Sequence, residues 1–213
     1  MSITLQKTTC YFCIGLFLLA SCGKDKKLDY HPMSVGAQWE YSGTMRRGSG
    51  QLVSVKSVGY IAEKEMLQGK EYFKLITTYE GAAGTPPQTV SYLRKTEEGI
   101  YLVPADQKDK PELLSTPLPI KTGRTWELAS YAPTVKGTYR VEGKETVYVT
   151  GGKKYEDCLK IFLQQEKDGI RGERLDYMAP NVGMVKQLVT FGDISLEVNL
   201  ERYTPGSDTL TTN

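Results

Sequence analysis

His31 is the single histidine of the chain, and Cys10, Cys13, Cys22 and Cys158 are its four cysteines. A Ser-His-Asp or Cys-His site would have to recruit His31, and a metal site built on two imidazoles is excluded. His31 precedes Pro32 at the entrance of the body, which reads as a structural or solvated position. Cys158 stands beside Leu159 in a strand-like run, where a small hydrophobe is expected rather than a nucleophile. Asp106, Asp109 and Glu112 are spaced loosely like calcium ligands. Lys108 and Lys110 are interleaved with them and the turn glycine of a calcium loop is missing, so a solvated loop is expected. Carboxylates paired across the fold, as in glycosidases, come from distant positions and stay open as a hydrolase reading. No glycine motif cradles a phosphate. This inventory names no catalytic residue, no metal ligand and no cofactor.

The strongest chemical signal lies further upstream. A basic leader, Met1 to Lys7, precedes an apolar run from Thr8 to Ser21 that carries Ile14, Leu16, Phe17, Leu18 and Leu19. Its charge and length suit a secretory signal. A helical membrane span takes about 20 residues, more than this run supplies. The ending Leu19-Ala20-Ser21-Cys22 resembles the lipobox of bacterial lipoproteins. That resemblance implies diacylation of Cys22, cleavage before it, and acylation of the new amine. One acyl chain holds a protein reversibly, whereas two or three give stable attachment without a spanning helix. In the sorting pattern of envelope lipoproteins an Asp after the cysteine retains the protein at the inner membrane. Gly23 stands there, which implies the outer membrane, with the body facing the periplasm.

The domain boundaries follow: a signal peptide over 1–21, a lipid-anchored polar tether over 22–29, one β domain over 30–203, and a flexible polar tail over 204–213. The 213-residue chain carries 27 basic and 25 acidic side chains. Near-neutrality argues against nucleic acid, which needs clustered positive charge. With Cys10 and Cys13 in the leader and Cys22 acylated, Cys158 has no partner for a disulfide within the chain.

What must position any site is a sheet. Ile194, Leu196, Val198 and Leu200 alternate with Ser195, Glu197, Asn199 and Glu201; Tyr139, Val141, Val147 and Val149 share one parity, as do Leu159, Ile161 and Leu163. Each run predicts a strand with one wet face. Val53 with Val55 gives way to Val58 with Tyr60, which predicts a bulge near Ser57. Gly151-Gly152, Asp168-Gly169 and Gly192-Asp193 predict hairpin turns. Helical spacing is confined to one turn around Glu63 to Leu67. The expected fold is all-β: an antiparallel meander of about ten strands curled into a barrel, half-barrel or sandwich, because large flat sheets are unfavourable.

Two β-repeats of about 85 residues, 35–120 and 121–203, are expected within it. Gly36-Ala37-Gln38-Trp39-Glu40 is echoed by Gly123-Arg124-Thr125-Trp126-Glu127, and Gly69-Lys70-Glu71-Tyr72 by Gly152-Lys153-Lys154-Tyr155. Tyr92 followed by Gly99 is answered by Tyr177 followed by Gly183. A groove between the halves is the natural place for a ligand or partner.

The opening Val35-Gly36-Ala37-Gln38-Trp39-Glu40-Tyr41, the strand Tyr155-Glu156-Asp157-Cys158 and the stretch Tyr177-Met178-Ala179-Pro180-Asn181-Val182-Gly183 together resemble a group of uncharacterised β-rich bacterial envelope lipoproteins. The resemblance implies a fold and an address and carries over no functional residue. Tyrosine is abundant on the strand-like runs; β propensity accounts for it, while an aromatic surface of Trp39, Tyr41, Trp126 and Tyr177 is the candidate for contact with an envelope protein or glycan. Three function classes follow. The leading one is a non-enzymatic, lipid-anchored partner-binding or scaffolding domain of the envelope; a carrier for lipid or another apolar ligand and a carboxylate-dependent hydrolase are the alternatives. The interior of the curled sheet discriminates them: a large apolar cavity favours the carrier, a packed core the binding module, and facing carboxylates the enzyme.

Overall fold

The alternating runs become strands whose apolar parity faces one interior. The computed structural model describes residues 28–81 and 87–207. The expected signal peptide, Cys22 and most of the tether lie outside the described residues, as does the tail from 208 onward. Twelve strands form rather than about ten: β1 (Gln38–Arg47), β2 (Val53–Leu67), β3 (Lys70–Glu80), β4 (Gln88–Lys95), β5 (Gly99–Pro104), β6 (Leu113–Pro117), β7 (Thr125–Glu127), β8 (Val135–Tyr148), β9 (Lys154–Lys167), β10 (Ile170–Ala179), β11 (Gly183–Phe191) and β12 (Ile194–Thr204). A 3-10 turn, Ala105–Gln107, is the one helical element among the described residues.

All twelve strands belong to one antiparallel sheet in the order β6-β5-β4-β3-β2-β1-β12-β11-β10-β9-β8-β7. The chain meanders outward from β1 to one edge, crosses to the other edge at β7, and meanders back until β12 pairs with β1 from Gln38↔Thr204 to Arg47↔Ile194. The sheet curls until its edges approach. The Trp126 indole N–H on β7 donates to the Ser115 carbonyl on β6 at 3.0 Å. The fold is therefore an all-β meander in a nearly closed barrel.

Local chemistry explains the turns. Asp168 and Gly169 both adopt positive φ, 51° and 80°, the conformation of a two-residue turn whose twist matches the flanking strands. Gly43 answers a different need. A side chain there would start 1.8 Å from the Glu197 carbonyl oxygen on β12, so glycine permits the tight crossing of β1 and β12.

Two expectations about β2 are corrected. No register shift occurs near Ser57: β1 and β2 pair without interruption from Gln38↔Tyr60 to Met45↔Val53. Val55, Gly59 and Ile61 keep one buried parity, and Val58 and Tyr60 lie on the opposite face. The bulge falls at Ala62, between Ile61 and Glu63. Nor do Glu63 to Leu67 make a helical turn; they pair with Lys70 to Lys74 of β3, and ladder hydrogen bonds override the helix preference of Glu, Lys, Met and Leu.

The interior is filled unevenly. Under β8 to β10, Tyr139, Val141, Leu159, Ile161, Leu163 and Met178 form a packed cluster. Beside it, Val147, Val149, Tyr155, Cys158, Val185 and Leu200 form a second. A third, Tyr72, Tyr92 and Val103, lies on the other face of β3 and β4 from Leu75 and Leu93. The segment after β5 folds back over it: Glu112 accepts hydrogen bonds from Tyr72 at 2.6 Å and Lys70 at 2.8 Å, and pairs with Arg94. Glu112 thus fastens a loop to the barrel wall.

Outward positions carry charge in pairs, Lys186 with Glu197 at 2.9 Å and Lys160 with Glu142 at 3.4 Å. A charge on a lipid-facing strand position costs up to about 2–4 kcal/mol, so this exterior is built for water rather than for the inside of a bilayer. No helix among the described residues is long and apolar enough to cross a membrane.

Candidate functional site

Where β8 to β10 fill the barrel with large side chains, β1 to β4 leave it open. A cavity of about 700 Å³ lies between β1 to β4 on one side and β10 to β12 on the other. That volume falls within the roughly 300–1,000 Å³ of small-molecule sites. The reason for the space is legible in β2 and β3. Ser57 and Gly59 occupy inward positions opposite Tyr79 and Thr77, and side chains this small leave room that Leu159, Ile161 and Leu163 occupy on β9. Met45 and Val55 line one wall, Leu75 and Leu93 another, and Val189, Leu196 and Val198 a third.

Arg47, Lys56 and His31 stand at the margins of the site, while Ser57, Thr77 and Tyr79 are among the polar side chains along its wall. Arg47, at the end of β1, and Lys56, opposite Ser42 at mid-strand, are both exposed and border the cavity. At the opposite end sits His31, in the segment that enters the barrel beside Trp39 and Gly183. Pro32 Cδ lies 3.8 Å from where a Gly183 side chain would begin, and the Trp39 indole nitrogen 3.4 Å. Burial first, then the charge of Lys95, pushes the imidazole pKa down to about 4, with Asp29 opposing. His31 is therefore neutral at pH 7. On the β10–β11 wall Asp176 is buried, accepting from Arg174 at 3.0 Å and from Gln187 at 2.8 Å, while Arg174 also donates to the Tyr139 hydroxyl at 3.0 Å. Gln187 borders the cavity and its amide nitrogen donates to Asp176 and to the Met184 sulfur.

The aromatic residues singled out from the sequence are half-buried and knit into this framework. Trp39 stacks on Tyr203 at 5.5 Å and donates to the Val182 carbonyl at 2.6 Å. Tyr41 donates to the Met184 carbonyl at 3.0 Å, and burial drives its pKa upward. Both line the cavity. Trp126 stacks on Tyr139 at 4.8 Å, in the filled half. Tyr177 packs against the cluster around Cys158. The four are thus divided between a cavity wall and two packed regions.

Cys158 is fully buried and its thiol is pushed up to about 11, chiefly by burial; it packs as a small hydrophobe. Glu112 spends both carboxylate oxygens on Arg94, Lys70 and Tyr72, and among the described residues it forms no metal-holding cluster with Asp106 and Asp109. Sequence reasoning missed the cavity and the place of His31 within it. The signal available was the pair of small inward residues, Ser57 and Gly59, interrupting a strand of larger ones.

No family model and no curated protein matches the chain. Two solved structures resemble it. One, from Bacteroides fragilis, is described as an exported protein with a YmcC-like fold; it is 15% identical, with a TM-score of 0.50, covering 83% of this chain and 99% of its own. The other, described as a lipoprotein from Parabacteroides distasonis, is 14% identical with a TM-score of 0.48, and covers 83% and 99%. At this identity the likeness to the Bacteroides structure shows a shared fold.

Proposed function

We propose that this chain is a lipid-anchored envelope protein whose barrel carries an apolar or amphipathic ligand in the cavity between β1–β4 and β10–β12. The observation that carries the reading is the cavity itself. Its walls are built from Met45, Val55, Leu75, Leu196 and Val198, and its volume is about 700 Å³. Small-molecule sites are concave, mostly apolar and edged by a few polar groups. Here they include His31 at one end, Arg47 at the other, and Ser57 and Thr77 on the wall between.

The scaffolding reading loses weight by comparison. Of the four aromatic residues expected to offer a partner surface, each is engaged in stacking, hydrogen bonding or core packing. A carrier uses Trp39 and Tyr41 where they stand, as cavity wall. Because the cavity draws on both six-stranded halves, we also read the echoes around Trp39 and Trp126 as two repeats that share one ligand chamber.

The address rests on the Leu19-Ala20-Ser21-Cys22 ending and on Gly23, supported by export of the Bacteroides protein with the same fold. In that setting Cys22 holds the barrel at the periplasmic face of the outer membrane. A membrane-tethered carrier needs no reactive residue.

Uptake of an uncharged, environment-sensitive apolar dye by the exported chain with Cys22→Ser tests the proposal, since this variant lacks an acylated cysteine to compete for the cavity. Saturable binding is expected, weakened by about tenfold or more in Leu196→Trp, a difference of ~1.4 kcal/mol. Absence of uptake by the unfilled cavity would overturn the carrier reading.

A further inference from the structure

Two buried side-chain polar atoms have no hydrogen-bond partner among the described residues: His31 Nε2 and the Tyr155 hydroxyl. Tyr155 sits in the packed cluster around Cys158. His31 lines the cavity. An unpaired buried donor or acceptor costs about 1–3 kcal/mol, and at His31 a ligand could relieve that cost.

The imidazole is held by its own main chain. Its N–H donates to the Asp29 carboxylate at 2.9 Å, and its carbonyl oxygen accepts from Lys95 at 2.9 Å. Lys95 and Asp29 are paired at 2.6 Å, and the Asp29 carbonyl is tied to the turn between β10 and β11 through the Asn181 N–H. These bonds fix the main chain at His31, and Nε2 is left unused.

Building on the carrier reading, we infer that the ligand is an amphiphile with an uncharged, hydroxyl-bearing head, seated against His31 Nε2 with its apolar body running along β1 toward Arg47. A neutral imidazole offers at Nε2 either a lone pair or an N–H, and a hydroxyl, both donor and acceptor, answers either. A carboxylate answers one of the two and brings a charge to a buried atom, where the neighbouring cation Lys95 already has Asp29 as its counter-ion. Leaving a buried charge without a partner is strongly unfavourable. From Trp39 to Arg47 the strand advances about 3.3 Å per residue, roughly 26 Å in all, enough to lay out a long chain against Met45, Leu196 and Val198.

The test uses the exported Cys22→Ser chain with three sixteen-carbon probes, 1-hexadecanol, hexadecane and palmitate, each displacing the same uncharged apolar dye. His31, as the single histidine, is also read directly from its ring Cε1–H resonance. Hexadecanol is expected to bind about tenfold or more tightly than hexadecane, to move the His31 resonance, and to leave the ring neutral at pH 7. His31→Phe should remove that advantage without changing hexadecane binding, and His31→Gln, which keeps a hydrogen-bonding end, should restore most of it. Equal binding of hexadecane and hexadecanol, with His31 unmoved, overturns the head-group site while leaving the carrier intact. Palmitate binding tightest, with His31 turned to imidazolium, overturns the uncharged head. Displacement by none of the three overturns both readings.

Discussion

Trp126 on β7 donates its indole N–H to the carbonyl oxygen of Ser115 on β6 at 3.0 Å while its ring lies 4.8 Å from Tyr139, nearly parallel to it. These two strands are the edges of the sheet. Elsewhere neighbouring strands are zipped by ladder hydrogen bonds; at this seam side chains do the joining, with Tyr131 also donating to the Pro111 carbonyl.

Trp126→Phe keeps an aromatic ring on Tyr139 and deletes the seam bond. Leaving the Ser115 carbonyl without its donor should cost about 1–3 kcal/mol. The loss should be local as well as global. Thermal melting gives the first, and faster hydrogen exchange at amides of β6, with β9 unchanged, gives the second. Equal acceleration in both strands would mean that the edge is not a separate unit.

Glu112 fastens the segment after β5 to the outside of the barrel. Arg94 first, then Lys70 and Tyr72, hold its pKa down to about 2, against an ordinary value of 4.5. Because the folded value is the lower one, this carboxylate stabilises the protein above pH 4.5, and that contribution is lost as pH falls toward 2. Glu112→Gln should therefore lower stability at pH 7 by about 1–3 kcal/mol and remove part of the acid dependence between those pH values. Denaturant melts of the two proteins at pH 7 and pH 3 check it: the gap should narrow at pH 3.

Much of the barrel was legible because alternation is a direct image of a half-wet strand. Leu159, Ile161 and Leu163 needed no long-range information to be placed inward. On β2 the same logic misled. Val58 is half-buried on the outer face and Tyr60 is only 37% exposed, so apolar residues fall on both parities of a continuous strand and imitate a slip. The short edge β6 escaped notice for another reason: five residues are too few for a period of two to show, and β7, with three, was marked only by the echo of Trp39 at Trp126. The site was hidden because the contacts that place His31 are remote in sequence. Asp29 meets Asn181 and Lys95, and no local pattern announces a meeting of residues so far apart.

Cys158 should be inert in the folded chain. Its thiol is buried and its pKa raised to about 11, so at pH 8 the thiolate that alkylates is scarce and shielded. Iodoacetamide at pH 8 should leave Cys158 unmodified by mass in the native Cys22→Ser protein and modify it completely in denaturant. Rapid native labelling would mean that the cluster around Val147 and Leu200 opens readily.

The two halves of the interior should answer truncation differently. Leu163→Ala removes a side chain that is 1% exposed in the filled half and should cost about 2–5 kcal/mol. Leu75→Ala enlarges a space that already exists, so fewer packing contacts are lost and the cost should fall below that range. Filling the same space with Leu196→Trp should leave stability unchanged or raise it. Urea midpoints of the three variants decide the matter; a Leu75→Ala loss equal to that of Leu163→Ala would mean that the cavity closes in solution.

His31 sets a second acid limb, distinct from that of Glu112. Burial and Lys95 lower its folded pKa to about 4, against 6.5 in the unfolded chain, while Asp29 pulls the other way. The folded state thus binds this proton more weakly than the unfolded state does. Stability is undiminished above pH 6.5, falls as pH drops from 6.5 through 4, and levels off below 4. Glu112 acts between 4.5 and 2, so the two limbs overlap little. His31→Gln should flatten the upper limb and leave the lower one, and Glu112→Gln should do the reverse. The direct check is the ring Cε1–H resonance of the lone histidine, which should titrate near pH 4 in the folded protein and near 6.5 in urea. A folded midpoint near 6.5 would place the ring in water and remove the dry end of the cavity.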